Sequence, residues 1–325
     1  MRTRSALALM IAAVSLAQAP KVWTPPRTPD GQPDLQGTWT NVTLTPLERP
    51  NDLAGKAFFT EQEAREYEKQ TLERNNADRR DGGAQADVNR AYNDFWYDRG
   101  TKVVNSRRTS LVVDPPDGKI PPLTPEAQKR QAESFAALRG HASDGPENRA
   151  LTERCIVWPT AGPPMMPSFY NNNYQIVQSP GYVVILVEMI HDARVIPTNG
   201  SAHLPQSVRQ WLGDSRGHDS LPIGQGNTLV VETTKFSAKT NFRGSSPGMH
   251  LTERFTRTAP GTLLYEFTVD DPAAFTKRWS AEVPMNQLNM NQAEGAIMEY
   301  ACHEGNYAMS GMLAGARAEE AKTKK

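Results

Sequence analysis

Short β-rich runs at regular spacing fill the second half of the chain, and they restrict its fold more than any other feature. The runs are rich in β-branched and aromatic residues, and Pro-Gly, Gly-Asn or Asp-Pro turns separate several of them. The predicted strands are Tyr174–Gln178, Tyr182–Ile196, Thr228–Phe236, Met249–Thr258, Thr262–Asp270, Arg278–Pro284 and Ile297–Cys302. A short helix is predicted at Leu204–Leu212. Many short strands without long intervening helices favour a mainly β fold, an antiparallel barrel or sandwich.

The run from Gly181 to Pro197, GYVVILVEMIHDARVIP, is the longest β-branched and apolar run of the mature chain. Apolar side chains fall on both faces of its first half, which predicts that both faces are covered. Its second half adds Glu188, His191 and Arg194. Buried charge is costly unless it is paired, so this cluster is either a structural ion-pair network or a functional site.

The composition excludes some classes of partner. The 36 Lys and Arg residues balance the 36 Asp and Glu residues, so the formal net charge is zero. No basic run or stripe points to nucleic acid, and no polybasic segment points to a membrane surface. The 325 residues suffice for one large domain or two smaller ones, and they do not indicate an oligomeric state.

Residues 1–19 have the pattern of a signal peptide. Arg2 and Arg4 precede a short apolar run, and small-x-small cleavage sites follow it. Cleavage is predicted near residues 17–19, preferably after Ala17. The apolar run is shorter than the roughly 20 residues that span a bilayer. We therefore expect an exported protein, periplasmic or secreted, with no membrane segment after cleavage.

Three regions are predicted after the signal peptide. Residues 20–150 combine an extended Pro-rich strap, helices and a first strand that pack on the core. Residues 151–312 form the β-rich core, and residues 313–325 form a charged C-terminal tail.

Local signals place the elements of the first region. Helices are predicted at Thr60–Arg79, from a capping box, and at Thr124–Gly140, from an N-cap followed by proline. A strand is predicted at Thr101–Asp114. The aromatic segment Tyr92–Tyr97 is interpreted as loop packing, with a stacking wall for a ligand ring as the alternative.

The two cysteines, Cys155 and Cys302, are interpreted through the predicted export. In an oxidising compartment an even pair favours a disulfide over a metal site or a nucleophile. Neither cysteine lies in a spaced ligand motif. A bridge between them would tie the C-terminal segment to the start of the β-rich core.

One predicted strand presents an unusually polar face. His250, Thr252 and Arg254 share that face, while Leu251 and its alternating neighbours share the other. The polar set lines a cavity if the apolar set faces outward, and otherwise it is solvated. Both arrangements are compatible with the sequence.

Six segments resemble a large family of exported bacterial proteins that is abundant in acidobacteria-like genomes. The segments are EMIHDARVIP, HLPQSVRQWLGDSRGH, NTLVVETTKF, HLTERFTR, YEFTVDDP and EYACHEGNY. The resemblance covers nearly the whole mature chain. It implies an exported location and a lipocalin-like antiparallel barrel, but no particular reaction. The chain departs from the family pattern at 219–226, where DSLPIGQG replaces the usual Trp-Glu-Gly-Asp and lengthens the turn.

Two clusters are the candidates for acid–base chemistry. The first is Glu188, His191 and Arg194, and the second is His303 with Glu304 in the segment CHEGNY. Imidazole changes charge near neutral pH, a carboxylate would orient it, and arginine would hold an oxyanion. The alternative for the second cluster is a polar strand end that caps a loop.

Further residues are predicted to bind the substrate. Tyr170, Asn172 and Tyr174 belong to the loop PPMMPSFYNNNY, whose Met, aromatic and amide side chains suit the mouth of a pocket. The same loop would otherwise close the barrel. His250 and Arg254 complete the predicted substrate-binding set.

The leading functional prediction is an exported protein that acts on a small organic molecule, a sugar or an aromatic derivative. The reaction would be of lyase, isomerase or hydrolase type. The first alternative is a non-catalytic small-molecule-binding barrel. The second is a metalloprotein, with a divalent metal on His191, His250 and His303, although no close-spaced ligand motif and no cofactor motif is present.

Overall fold

Ten antiparallel strands form one sheet in the computed structural model of the chain. The structure describes residues 23–80, 82–83, 85, 93–220, 227–289 and 296–323. The predicted signal peptide and most of the altered turn at 219–226 lie outside these residues. The strands are β1 (Gly37–Thr40), β2 (Val112–Asp114), β3 (Asn173–Ser179), β4 (Tyr182–Val187), β5 (Asp192–Pro197), β6 (Asp214–Asp219), β7 (Thr228–Thr234), β8 (His250–Ala259), β9 (Thr262–Asp270) and β10 (Trp279–Gln287).

Nine of the strands follow the order β5-β4-β3-β1-β10-β9-β8-β7-β6, and β2 pairs with β10 beside this path. The sheet curls into a nearly closed barrel, so the predicted antiparallel barrel is confirmed. In the part of the chain that the structure describes, three α-helices accompany it: α1 (Glu61–Asn75), α2 (Pro125–Leu138) and α3 (Ala308–Thr323). The predicted boundary at residue 313 falls inside α3. No helix in the described part of the chain is long and apolar enough to cross a membrane.

The barrel interior is a packed core. Strand β9 alternates as its sequence predicts, with Leu263, Tyr265, Phe267 and Val269 all buried. Large side chains from several strands fill the interior, among them Trp39, Tyr174, Phe255, Tyr265, Phe267 and Trp279. Burying such aromatic surface stabilises the fold and leaves little room for a ligand at the barrel centre.

The predicted strap contributes a central strand. Strand β1 pairs with β3 on one side and with β10 on the other. Trp39 is fully buried, and its Nε1 donates to the carbonyl of Leu35 at 2.9 Å. The Pro-rich segment is therefore extended, as predicted, but part of it is paired inside the sheet.

The helix signals are confirmed at their N-termini. Thr60 Oγ1 accepts from the backbone N–H of Glu63 at 3.2 Å, and Glu63 Oε2 accepts from the N–H of Thr60 at 2.8 Å. This capping box begins α1. Thr124 Oγ1 accepts from the N–H of Ala127 at 3.2 Å and begins α2, which has Pro125 in its first turn.

Several predicted elements are wrong. The segment Tyr182–Ile196 is not one strand, because Ile190 and His191 adopt positive φ of 65° and 55° and fold it into the hairpin β4–β5. Residues 204–212 form turns instead of a helix, and residues 297–302 form no strand. The strand predicted at 101–114 is reduced to β2. Strand β6 was missed because its sequence, DSRGHD, is polar.

The strand registers define two ends of the barrel. Strands β3, β8 and β10 begin at one end, where β1, β7 and β9 finish. We call this the upper end. The loops that follow β1, precede β3 and join β7 to β8 all meet there.

Candidate functional site

An arginine–glutamate pair lies inside the barrel. Arg194 on β5 and Glu253 on β8 both point inward and are 5% and 0% exposed. Arg194 Nη1 donates to Glu253 Oε1 at 2.9 Å, and Arg194 Nη2 donates to Glu253 Oε2. Two parallel charge-assisted bonds of this kind are strong and hold both side chains in one orientation.

Hydroxyl groups complete this buried network. Arg194 Nε donates to Ser215 Oγ at 3.1 Å, and Nη2 donates to Thr233 Oγ1 at 2.9 Å. The hydroxyl of Tyr265 donates to Glu253 Oε1 at 2.8 Å. Burial raises the pKa of Tyr265 well above its usual value, so this hydroxyl remains a donor at neutral pH.

The network connects the two edge strands of the curled sheet, β5 and β6. Strands β5 and β6 terminate the strand order, and within the described residues no backbone ladder joins them. Arg194 on β5 reaches Ser215 on β6 and so fastens the barrel where backbone pairing stops. All three donor nitrogens of Arg194 are engaged inside the protein. The interpretation as a structural ion-pair network accounts for Arg194, and the oxyanion role stays a prediction.

Glu188 lies at the turn between β4 and β5. Its carboxylate is buried and accepts from Asn173 Nδ2 at 2.7 Å and from the backbone N–H of Met298 at 3.1 Å. Burial raises the pKa of Glu188, and the nearby Asp98 carboxylate raises it further. The side chain ties the segment at residue 298 to the upper end of the barrel.

The two predicted proton-transfer histidines are exposed. His191 follows Glu188 in the hairpin turn, and its backbone N–H donates to the Glu188 carbonyl at 3.1 Å. His303 and Glu304 lie on an exposed turn after Cys302. Among the described residues, no hydrogen bond or ion pair joins either imidazole to Glu188, Arg194 or the other imidazole.

The residues predicted to bind substrate are dispersed. Asn172 is buried and fixes its own loop, with Oδ1 accepting from the N–H of Ser168 at 2.7 Å. Tyr174 is buried in the core, where its hydroxyl accepts from Asn41 at 3.0 Å. Tyr170 packs partly buried against the core.

The two faces of strand β8 point to opposite sides of the barrel wall. Leu251, Glu253 and Phe255 point into the barrel, while His250 and Arg254 lie on its outer, more exposed face. The polar set is therefore solvated. His250 Nε2 pairs with Glu232 on β7.

Over the part of the chain that the structure describes, no three His, Cys, Asp or Glu side chains gather closely enough to hold a metal ion.

A cleft of about 840 Å³ opens at the upper end. Four segments form most of it: the loop 43–47 after β1, the end of α1 with Arg99, the segment 150–169 before β3, and the loop 239–243 after β7; Leu111, just before β2, completes the lining. Its surface is mainly apolar. Prominent lining side chains are Leu47, Leu111, Trp158, Met166, Phe169 and Phe242. Ligand sites in proteins have this size and composition.

The wall at 158–168 is held in a fixed shape. Trp158 Nε1 donates to Ser168 Oγ at 2.9 Å, and the N–H of Met165 donates to the Tyr265 hydroxyl at 3.1 Å. Gly162 has φ of 56°, and a Cβ there would lie 2.7 Å from the Pro164 carbonyl carbon, so the turn requires glycine. The wall is thus connected to the buried network through Tyr265.

The loop 239–243 forms another wall of the cleft and is anchored by Phe242. Its ring stacks on Trp279 at 6.0 Å between centroids and meets Phe267 edge-on at 6.3 Å. Thr240 Oγ1 donates to the carbonyl of Trp211 at 2.8 Å. Arg243 beside the anchor adopts a left-handed backbone with φ of 56°, a conformation that costs a non-glycine residue about 1 kcal/mol.

The disulfide predicted between Cys155 and Cys302 is present, with 5.9 Å between the Cα atoms. It attaches the cleft segment 150–158 to the C-terminal part of the chain. Helix α3 is bonded to the chain just before this segment, because Arg317 donates to the carbonyls of Ser143 and Asp144 at 2.9 and 3.0 Å.

Sequence reasoning found one wall of the cleft and missed the others. Pro163, Pro164, Met166 and Phe169 of the predicted pocket-mouth loop line it, whereas Tyr170, Asn172 and Tyr174 from the same loop do not. The aromatic segment is more exposed than loop packing predicts. Phe95 and Trp96 are 85% and 61% exposed, and Tyr92 lies outside the described residues.

A pH effect is expected on the outer face of the barrel. Burial raises the pKa of Glu266, and the neighbouring Glu282 raises it further. A carboxyl with a raised folded-state pKa stabilises below its unfolded pKa and loses that contribution as the pH rises through the folded value. We expect Glu266→Gln to raise the melting temperature at pH 7 by about 1–2 °C and to change it less at pH 4.

Thermal unfolding at the two pH values measures this effect. Glu299→Gln, which changes an exposed carboxylate, is the matched control and should leave the melting temperature unchanged at both pH values. An equal shift from Glu266→Gln at both pH values would contradict the expected linkage.

Comparisons of the chain with protein-family models, with curated proteins and with solved structures find no match. The resemblance to the family of exported bacterial proteins therefore stays a prediction.

Proposed function

We propose that the protein binds a small, mainly apolar organic molecule in the cleft at the upper end of the barrel, without transforming it. The observation that carries this proposal is the cleft itself, with its volume of about 840 Å³ and its wall of Trp158, Met166 and Phe242. A ligand there would bury apolar surface at roughly 25 cal/mol per Å².

The rigidity of the walls supports this function. The 158–168 wall and the Phe242 loop are both fixed by contacts within the protein, so little conformational entropy is lost when a ligand enters. The barrel centre is filled with aromatic side chains, which leaves the upper end as the place for a ligand.

Export to the periplasm or the medium is part of the proposal. The disulfide between Cys155 and Cys302 supports it, because such bonds form and persist in oxidising compartments. The signal-peptide pattern at residues 1–19 supplies the route.

The acid–base reaction at His191 and His303 stays a prediction and is not the function that we propose. Both imidazoles are exposed, neither lines the cleft, and Arg194 is committed to Glu253. A metal on His191, His250 and His303 is likewise not proposed, because His250 pairs with Glu232 on the outer face.

Blocking the cleft tests the proposal. N-phenyl-1-naphthylamine is an uncharged aromatic dye that fluoresces when it enters an apolar site. We expect the protein to bind it, and we expect Val157→Trp, which fills the cleft, to weaken binding by about tenfold or more, equivalent to about 1.4 kcal/mol. Fluorescence titration measures both affinities.

Val195→Trp is the matched control. Val195 is 56% exposed on the outer face of β5, so the same added ring lies away from the cleft. This variant should bind the dye as the wild type does. Absence of dye binding, or equal binding by Val157→Trp with an unchanged melting temperature, would exclude the cleft as the ligand site.

A further inference from the structure

Two cations at the rim of the cleft meet no counter-charge among the described residues. Lys239 and Arg243 flank the anchored ring of Phe242 and line the cleft. Within the described part of the chain, neither side chain has a hydrogen-bond or ion-pair partner. No Asp or Glu side chain appears among the described residues that line the cleft.

The third cation of the lining, Arg99, is different. Its Nη1 donates to the carbonyl of Asn75 at 2.8 Å and lies 3.6 Å from Asp94 Oδ1. Its guanidinium also stacks over the Tyr97 ring, 3.6 Å from the centroid. Arg99 is therefore a structural part of the wall, and the unbalanced positive charge comes from Lys239 and Arg243.

The loop that carries both cations is anchored by its own contacts. Phe242 packs against Trp279 and Phe267, the N–H of Phe242 donates to Ser245 Oγ at 2.9 Å, and the N–H of Gly244 donates to Asn241 Oδ1 at 2.6 Å. The backbone that carries both cations is thus organised before any ligand arrives. An apolar cleft with cations at its rim is complementary to a molecule with an apolar body and an anionic head.

We infer that the ligand is an amphipathic organic anion: its apolar, ring-bearing body lies against Trp158, Met166 and Phe242, and its single carboxylate or sulfonate is held by Lys239 and Arg243. This inference rests on the proposed binding function and adds the ligand class. Arginine presents paired N–H donors to such a head, and lysine adds a mobile ammonium beside it.

A pair of dyes that differ only in charge tests the inference. 8-Anilinonaphthalene-1-sulfonate has the ring skeleton of N-phenyl-1-naphthylamine with one added sulfonate. We expect the full mature chain to bind the sulfonate dye about tenfold more tightly than the neutral dye at low salt, since a charge-assisted contact has about that effect. The preference should shrink at about 0.15 M salt, because rim charges are screened.

Lys239→Gln combined with Arg243→Gln should abolish this preference, so that the two dyes bind the variant with similar affinity. Binding of the neutral dye shows in the same titration that the variant is folded and its cleft intact. Lys277→Gln, which removes an exposed cation outside the cleft, is the control and should keep the preference.

The outcomes separate the two proposals. If both dyes bind equally, or if the preference survives in the double variant, the anion inference is overturned while the cleft remains the ligand site. If neither dye binds, or if Val157→Trp binds the neutral dye normally, both the anion inference and the proposed function fail.

Discussion

Glu253→Gln is expected to lower the free energy of unfolding by about 3–5 kcal/mol. The substitution keeps the size of the side chain but leaves the Arg194 guanidinium buried, 5% exposed, without a negative partner. A single uncompensated charge in the core is far more costly than the loss of one hydrogen bond. Denaturant unfolding of the purified variant measures the change.

The double variant Arg194→Met with Glu253→Gln separates the charge effect from packing. It removes both charges, and the Gln side chain still accepts from the Tyr265 hydroxyl. We expect it to be more stable than Glu253→Gln alone, because replacing both members of a buried pair is often nearly neutral.

Arg254→Met is the control on the same strand. Arg254 lies on the exposed outer face, so the free energy of unfolding of this variant should stay within about 0.5 kcal/mol of the wild-type value. If Glu253→Gln proves as stable as Arg254→Met, the buried pair does not fasten the barrel.

Removing the disulfide is expected to lower the free energy of unfolding by a similar amount. The bridge joins Cys155 to Cys302 across a separation of 147 residues. The chain-entropy relation gives up to about 5 kcal/mol for a loop of this length. We therefore expect Cys155→Ser with Cys302→Ser to unfold at a markedly lower denaturant concentration than the wild type.

The same change should weaken ligand binding. The segment 150–158 contributes Leu151, Val157 and Trp158 to the cleft and is attached through the disulfide to the C-terminal part of the chain. Without the bridge this wall is less constrained, so affinity for N-phenyl-1-naphthylamine should fall.

Dithiothreitol provides the matched control for this experiment. It should bring the wild type to the stability and dye affinity of the double serine variant and leave that variant unchanged. A wild type whose unfolding and dye binding are unaffected by reduction would show that the bridge contributes to neither.

Together the two results would distinguish the sources of stability. The Arg194–Glu253 pair acts where β5 and β6 lack backbone pairing, inside the barrel. The disulfide acts outside it, on a segment with no strand of its own. Loss of either should affect the cleft, because Tyr265 connects Glu253 to the wall at Met165, and Cys155 lies beside the wall at Val157.

Local patterns in the sequence determined the class of fold. The alternation of Leu263, Tyr265, Phe267 and Val269 has the period of a strand, and that period depends only on backbone geometry. The caps at Thr60 and Thr124 are also local, since each satisfies a backbone N–H three residues away. The disulfide was predicted from two cysteines in a chain that begins with a signal-peptide pattern.

Only the tertiary structure decided which face of β8 points into the barrel and which residue pairs with Glu253 on that face. Glu253 and Arg194 are 59 residues apart in sequence, and closure of the barrel brings them together. The cleft has the same origin, because the segments that line it are distant in sequence and share no common pattern. Residue periodicity specifies the two faces of a strand, but the packing of the whole sheet selects the buried one.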